Sequence, residues 1–126
     1  NTSQPTDIPN KVQALVNWGN REKTLHPFIK ASRFLATFLS IQPFADGNAR
    51  MGLLLMNVIL LKDGFDLVNI RHKDRTRYLD ALKTFNDSGS IEPLAMLIAE
   101  RALETVNYAI HIAKQKDAMH EGKILN

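Results

Sequence analysis

One stretch constrains the chain more than any other. Met51 to Leu61 is apolar on nearly every side of a helix, interrupted only by Asn57, and it follows directly on the polar loop Gln42-Pro43-Phe44-Ala45-Asp46-Gly47-Asn48-Ala49-Arg50. A surface helix would keep a polar face, so this pattern predicts a helix over about 48–62 buried at the centre of an all-α bundle. The loop then lies at the start of that helix, where the first backbone N–H groups lack helical partners and the helix dipole is positive. Such a place suits an anion, and Gly47 lets the main chain come close to one. Arg50, one turn in, adds a planar donor able to grip phosphate or carboxylate with two bonds. Asp46 adds a hard oxygen of the kind magnesium takes beside phosphates. The residues thus point to a phosphate and metal site.

The rest of the chain supports a single helical domain. With 126 residues, 44% of them hydrophobic, it is long enough to bury a core. It contains no Cys, which excludes a disulfide framework and a thiolate ligand or nucleophile. Its apolar run is too short to span a bilayer, and the N-terminus shows no signal-peptide pattern, so no membrane partner is expected and the default setting is cytoplasmic. A net charge of +3 and a pI near 9.3 fit nucleotide phosphates or an acidic partner.

In chain order, residues 1–9 read as an extended arm, 10–114 as the helical domain and 115–126 as a polar tail. Asn10 is the expected N-cap of a first helix that stops at Gly19, with Trp18 folded onto the core. His26-Pro27 opens a second helix, and His26 reads as an ordering residue at its start rather than as a base. Lys62-Asp63-Gly64 ends the central helix, and 65–70 is an extended connection. A helix from Lys73 or Asp74 carries Tyr78, Leu79, Ala81, Leu82 and Phe85 as its buried stripe. The basic cluster Arg71, His72, Lys73, Arg75 and Arg77 reads as a solvated helix start, and without interleaved aromatics it offers no nucleic-acid surface. Glu92-Pro93 opens the last helix, with Leu94, Leu97, Ile98, Ala102, Leu103, Val106, Ala109, Ile110 and Ile112 as its core face to Lys114, fraying towards His120.

Pro43-Phe44-x-Asp46-Gly47-Asn48-x-Arg50, entered from the helix 28–41 and followed by Leu53-Leu54-Leu55-Met56-Asn57, resembles the signature of the Fic (Fido) family, HPFx(D/E)GNGRxxR. The similarity continues through Gly64-Phe65, Arg75-x-x-Tyr78-x-x-Ala81-Leu82 and Ile91-Glu92-Pro93-Leu94. The resemblance implies a compact all-α fold that binds ATP with Mg2+ and moves AMP onto a hydroxyl side chain of a target protein. It also implies a β-hairpin flap ahead of the first helix, which nine residues do not supply.

Three positions depart from the family pattern. Gln42 stands where the family keeps its catalytic His, and an amide cannot serve as the general base. Leu53 stands at the last motif Arg and offers no charge to a terminal phosphate. Ala49 replaces the second motif glycine; its backbone is content in a helix, but its methyl narrows the space for a phosphate. What remains, with Pro43 and Phe44 in support, is the half of the motif that holds an anion and a metal. By this resemblance Asp46 holds Mg2+, while Gly47, Asn48, Ala49 and Arg50 hold the nucleotide. In the tail, Asp117-x-x-x-Glu121-Gly122 imperfectly resembles the family's inhibitory element, whose Glu needs the Arg that Leu53 replaces. Three functions follow: an AMP-transferase-like enzyme with impaired catalysis, a catalytically silent nucleotide- or phosphate-binding module, or a helical protein-interaction module.

Overall fold

The computed structural model describes residues 7–42 and 47–125, the last six of these as backbone only. The elements are α1 (Ile8–Arg21), α2 (Pro27–Ile41), α3 (Asn48–Lys62), a 3-10 turn (His72–Asp74), α4 (Arg75–Ser88) and α5 (Glu92–Leu125). No strand occurs among the described residues, as the all-α reading requires.

Helix α1 begins earlier than its sequence suggests. Asp7 is its N-cap and Pro9 lies in its first turn, where a fixed φ and a missing N–H are harmless. Gly19 does not stop it but sits inside, with Phe34 alongside: a Cβ at Gly19 would lie 3.6 Å from that ring. Trp18 packs, as expected, against a cluster of Leu15, Phe34, Phe38 and Ile41.

Helix α2 is the hub and packs on α1, α3, α4 and α5. It opens with His26 as N-cap, whose Nδ1 accepts a bond from the Phe28 N–H at 3.1 Å. The same imidazole leans on Phe28 and Phe65, ring centroids 5.0 and 6.5 Å away. That is the ordering role expected of His26. It also lies a whole helix from Gln42, roughly 22 Å at 1.5 Å per residue, out of reach as a substitute base.

Helices α2 and α3 approach closely because Gly52 has no side chain. A Cβ there would meet Leu35 Cδ1 at 3.0 Å and both Leu39 and Phe38 at 3.3 Å. Met56 and Leu60 continue that stripe and are wholly buried. The rest of α3 is more open than its composition implies: Leu54, Val58 and Leu61 remain 58%, 44% and 51% exposed. Only one side of α3 is pressed into the bundle, so an apolar circumference overstated its burial.

Gly64, at φ 89°, closes α3, and the Phe65 N–H reaches back to the Leu60 carbonyl at 2.9 Å. The connection that follows, 65–70, is neither helix nor strand. In α4, Tyr78 and Ala81 are buried and Leu82 and Phe85 half-buried, but Leu79 points outward at 48% exposure.

The core face of α5 also ends sooner than its periodicity implies. Leu94, Leu97, Ile98 and Ala102 are buried, whereas Leu103, Val106, Ala109, Ile110 and Ile112 are exposed. Nothing from α2 or α4 extends far enough to cover them. The helix nevertheless continues past Lys114 and His120 to Leu125 without a break at 115, 34 residues or about 51 Å long. Its later residues are rich in Ala, Lys and Gln, good helix formers that propagate a turn already nucleated.

Candidate functional site

The site expected from the sequence lies where α2 hands over to α3. Ile41 is buried and anchors the end of α2, so the chain must turn immediately after it. Gln42 makes that turn as the C-cap, at φ 51° and ψ 61°, and is the one non-glycine residue with positive φ among those described. Its N–H still bonds the Phe38 carbonyl at 3.3 Å. A side chain in this left-handed region carries a strain of about 1–2 kcal/mol. Pro43, Phe44 and Asp46 lie outside the described residues.

Gly47 resumes the chain as the N-cap of α3, also left-handed at φ 79°. Its residue type is required by that dihedral, and a Cβ there would meet nothing within 4 Å among the described residues. Asn48 follows, half-buried, and Ala49 and Arg50 are exposed on the first turn. Arg50 makes no ion pair among the described residues, so its guanidinium faces solvent at the positive end of the helix. Leu53 is half-buried and packs against the main core.

A groove of about 1010 Å³ opens beside Gln42, on the side of α2 that faces α1 and the end of α4. Its walls include Trp18 and Lys11 from α1, Arg33 and Ser40 from α2, and Asn86 from α4. No local signal points to it, because it is made by residues distant in the chain whose only shared property is placement. Asn57 was likewise missed. Its side chain bonds the backbone of Val68 and ties the connection after α3 to that helix. A polar residue interrupting an apolar helix was the available signal.

Two of the five residues of the basic cluster pair with α5, and His72, Lys73 and Arg75 are exposed. Arg71 bonds Glu104 at 2.8 Å and Arg77 bonds Glu100. Asp74 is buried; it accepts from the Arg71 N–H at 3.0 Å and lies 3.7 Å from Arg101 Nε. These pairs tie the start of α4 to α5, a role beyond the solvated helix start expected. Of the tail element, Asp117 is exposed, and the side chains of Glu121 and Gly122 lie outside the description. Among the described residues no cluster of three or more His, Asp or Glu could hold a metal, and no helix is long and apolar enough to cross a membrane.

Comparison with known proteins bears on this arrangement. Residues 1–60 match the model of the Fic/DOC family. A probable protein adenylyltransferase of Aquifex aeolicus is 36% identical over 110 residues, covering 82% of this chain and 33% of the relative. The protein adenylyltransferase Fic of Drosophila melanogaster is 35% identical over 105 residues, 82% of this chain and 21% of the relative. This chain therefore spans about a third or less of those relatives. Among solved structures, Fic-1 of C. elegans superimposes with a TM-score of 0.80 at 26% identity, over 86% of this chain and 33% of that one. A Fic domain-containing signalling protein of Bacteroides thetaiotaomicron gives 0.67 at 28% identity, over 86% and 42%. The helix–loop–helix carrying Gln42 to Arg50, the five-helix fold around it and these relatives place the chain in the Fic family.

Proposed function

We propose that this chain binds Mg-ATP where α2 meets α3, and that its transfer of AMP to a hydroxyl side chain of a target protein is impaired at the proton-transfer step. The observation that carries this reading is the contrast across one short connection. Arg50 beyond it is exposed and without an ion-pair partner among the described residues, while the residue before it, Gln42, is an amide. The relatives that cover this region are named protein adenylyltransferases, which supports both the nucleotide and a protein acceptor.

In this reading the amides of Gly47, Asn48 and Ala49 and the dipole of α3 attract the phosphates, and Arg50 neutralises the β-phosphate. Asp46 would hold Mg2+, whose chemistry there is to spread the charge of the phosphates; one carboxylate with substrate phosphates is the usual manner of that ion. Ala49 crowds the phosphate where the family has glycine. Leu53, turned into the core, leaves the terminal phosphate without its cation. The groove beside Gln42 has room for a nucleotide or for part of an acceptor.

Gln42 can donate to or accept from a target hydroxyl and so orient it, but it cannot take its proton. Loss of a positioned base lowers a rate by about 10²- to 10⁴-fold, while electrostatic stabilisation by Arg50 and the helix start is retained. The test is calorimetric titration of Mg-ATP into the parent chain, with Gln42→His assayed for transfer of labelled AMP onto itself or lysate proteins. Binding by the parent with transfer only by Gln42→His supports the reading. Binding by both with transfer by neither makes the chain a silent nucleotide module. Absence of binding leaves the helical interaction module as the function.

A further inference from the structure

A second pocket, of about 330 Å³, lies between α1, α2 and α3. We propose that it is a binding site for a small amphiphilic anion: a phosphate or carboxylate head held by Lys23, Lys30 and Lys62, with a short apolar or aromatic body laid against Val16, Phe34 and Val58.

Three lysines from three separate segments line this one pocket: Lys23 from the connection after α1, Lys30 from α2 and Lys62 from the last turn of α3. Lys30 is the unusual one. It is 92% buried, being 8% exposed, and while its backbone N–H bonds the His26 carbonyl, its ammonium makes no hydrogen bond or ion pair with any described residue. Burying a lysine without a partner is expensive unless its ammonium reaches a polar space, and the space it lines is this pocket. Two carboxylates stand nearby. Asp63 lines the pocket, and close by is Glu22, whose carboxyl is held below the usual range first by its bond from the Thr24 hydroxyl, then by the Thr24 and Leu25 N–H groups, and least by the charge of Lys30. Glu22, however, is committed to the Thr24 hydroxyl and N–H and the Leu25 N–H at 2.6, 2.7 and 3.0 Å. With three lysines and one carboxylate in its lining, the pocket carries an excess of two positive charges, reduced to one where Glu22 is counted beside it.

Its remaining wall is apolar and partly open. Val16 and Val58 are 40% and 44% exposed, and Phe34, itself buried, lies beneath Gly19 at the floor. The size is that of a small ligand, and apolar walls with a few convergent polar groups are the usual make-up of such sites. A head alone would leave those walls wet, and an apolar body alone would leave Lys30 unpaired. The amphiphilic anion answers both.

Phenyl phosphate is the probe, with phenol and inorganic phosphate as controls, titrated into the isotope-labelled full chain and followed by amide shifts. Saturable shifts at Gly19, Asn20 and Val58 are expected with phenyl phosphate, weaker ones with inorganic phosphate, and none with phenol at equal concentration. Lys62→Gln, an exposed position, should weaken binding about tenfold, Lys30→Met at least as much, and added salt should weaken it further. Arg50→Ala should leave it unchanged, which separates this site from the nucleotide site. Equal binding of phenol, shifts confined to Gly47–Arg50, no saturable shift, or full affinity in Lys62→Gln each overturns the proposal. If Lys30→Met fails to fold, Lys62→Gln decides.

Discussion

The side-chain amide of Asn57 satisfies both backbone polar groups of Val68: its Oδ1 accepts from the Val68 N–H at 2.8 Å, and its Nδ2 donates to the Val68 carbonyl at 3.1 Å. One side chain thus takes the part of a neighbouring strand for a connection that has none. Val68 is 3% exposed, so water does not replace these bonds if they are lost. Asn57→Leu leaves a buried donor and acceptor unpaired, a destabilisation of about 2–4 kcal/mol. Asn57→Asp keeps the acceptor and should lose about half as much. Urea unfolding of both variants measures this, and the Val68 amide should exchange faster in each; unchanged midpoints would mean that the clamp is incidental.

Gly52 and Gly47 make opposite predictions from the same residue type. At Gly52 the dihedrals are helical, and Ala would gain up to about 1 kcal/mol of helix propensity. Its methyl would stand 3.0 Å from Leu35 Cδ1 and force α2 and α3 apart, at about 1–3 kcal/mol. Gly52→Ala is therefore net destabilising, with the main loss in packing. Gly47→Ala meets no atom but must hold φ 79°, at about 1–2 kcal/mol. A larger residue separates the mechanisms: Gly52→Val should be far worse than Gly52→Ala, while Gly47→Asn should be milder than Gly47→Ala, because Asn tolerates the left-handed region. Thermal melts of the four variants give the order.

Gln42 holds the same left-handed conformation without being glycine. Gln42→Gly should stabilise the chain by about 1 kcal/mol, less the backbone entropy that glycine adds to the unfolded state. Gln42→His should leave stability nearly unchanged, since both residues carry the same strain. A Gln42→Gly midpoint below the parent's would show that the side chain contributes contacts that outweigh that strain.

Tyr78 is buried with its hydroxyl unpaired, and burial alone pushes its pKa up to about 12 from the ordinary 10. The folded state therefore favours the protonated phenol. The stability linked to this group is fully present below pH 10 and is lost as the pH rises from about 10 through 12, a span of about 2–3 kcal/mol. Tyr78→Phe should abolish that part of the alkaline loss. At neutral pH it should be neutral or mildly stabilising, because it removes an unsatisfied hydroxyl. Parallel urea curves at neutral and alkaline pH check both signs; a Tyr78→Phe variant that weakens as steeply as the parent excludes Tyr78 as the source.

What was legible in the sequence follows from range. The helices of the bundle, the turn chemistry of Gly64 and Gly89 and the cap at His26 are local, and each was written in a few adjacent residues. At Gly19 contact with Phe34 outweighed a local stop signal, while α1 starts early because Pro9 is tolerated in a first helical turn. Periodicity placed Leu103, Val106 and Ile110 on the core face of α5, but burial depends on whether another helix reaches that far, and none does. The same limit applies to Leu54 and Val58 on α3. Gln42, Gly47, Asn48 and Arg50 were found because they are adjacent in sequence, whereas Lys23, Lys30 and Lys62 converge only in three dimensions.

Arg50 and Leu53 lie one turn apart on α3 and should respond to substitution in opposite ways. Arg50 is exposed and unpaired among the described residues, so Arg50→Ala should leave the melting temperature within a degree or so while weakening Mg-ATP binding at least about tenfold. Asp46→Ala should weaken binding similarly in Mg2+ and lose its effect when Mg2+ is withheld. Leu53 is half-buried against the main core, so Leu53→Glu places a carboxylate among apolar neighbours and should destabilise the chain by about 2 kcal/mol or more. Leu53→Arg should cost less, because a long stem can lie along the core while its guanidinium reaches water. If that guanidinium also reaches the nucleotide, Leu53→Arg binds Mg-ATP more tightly than the parent and ADP no better, the signature of contact with the terminal phosphate. Calorimetry with both nucleotides reads the difference; equal gains for the two would place the new charge elsewhere on the site.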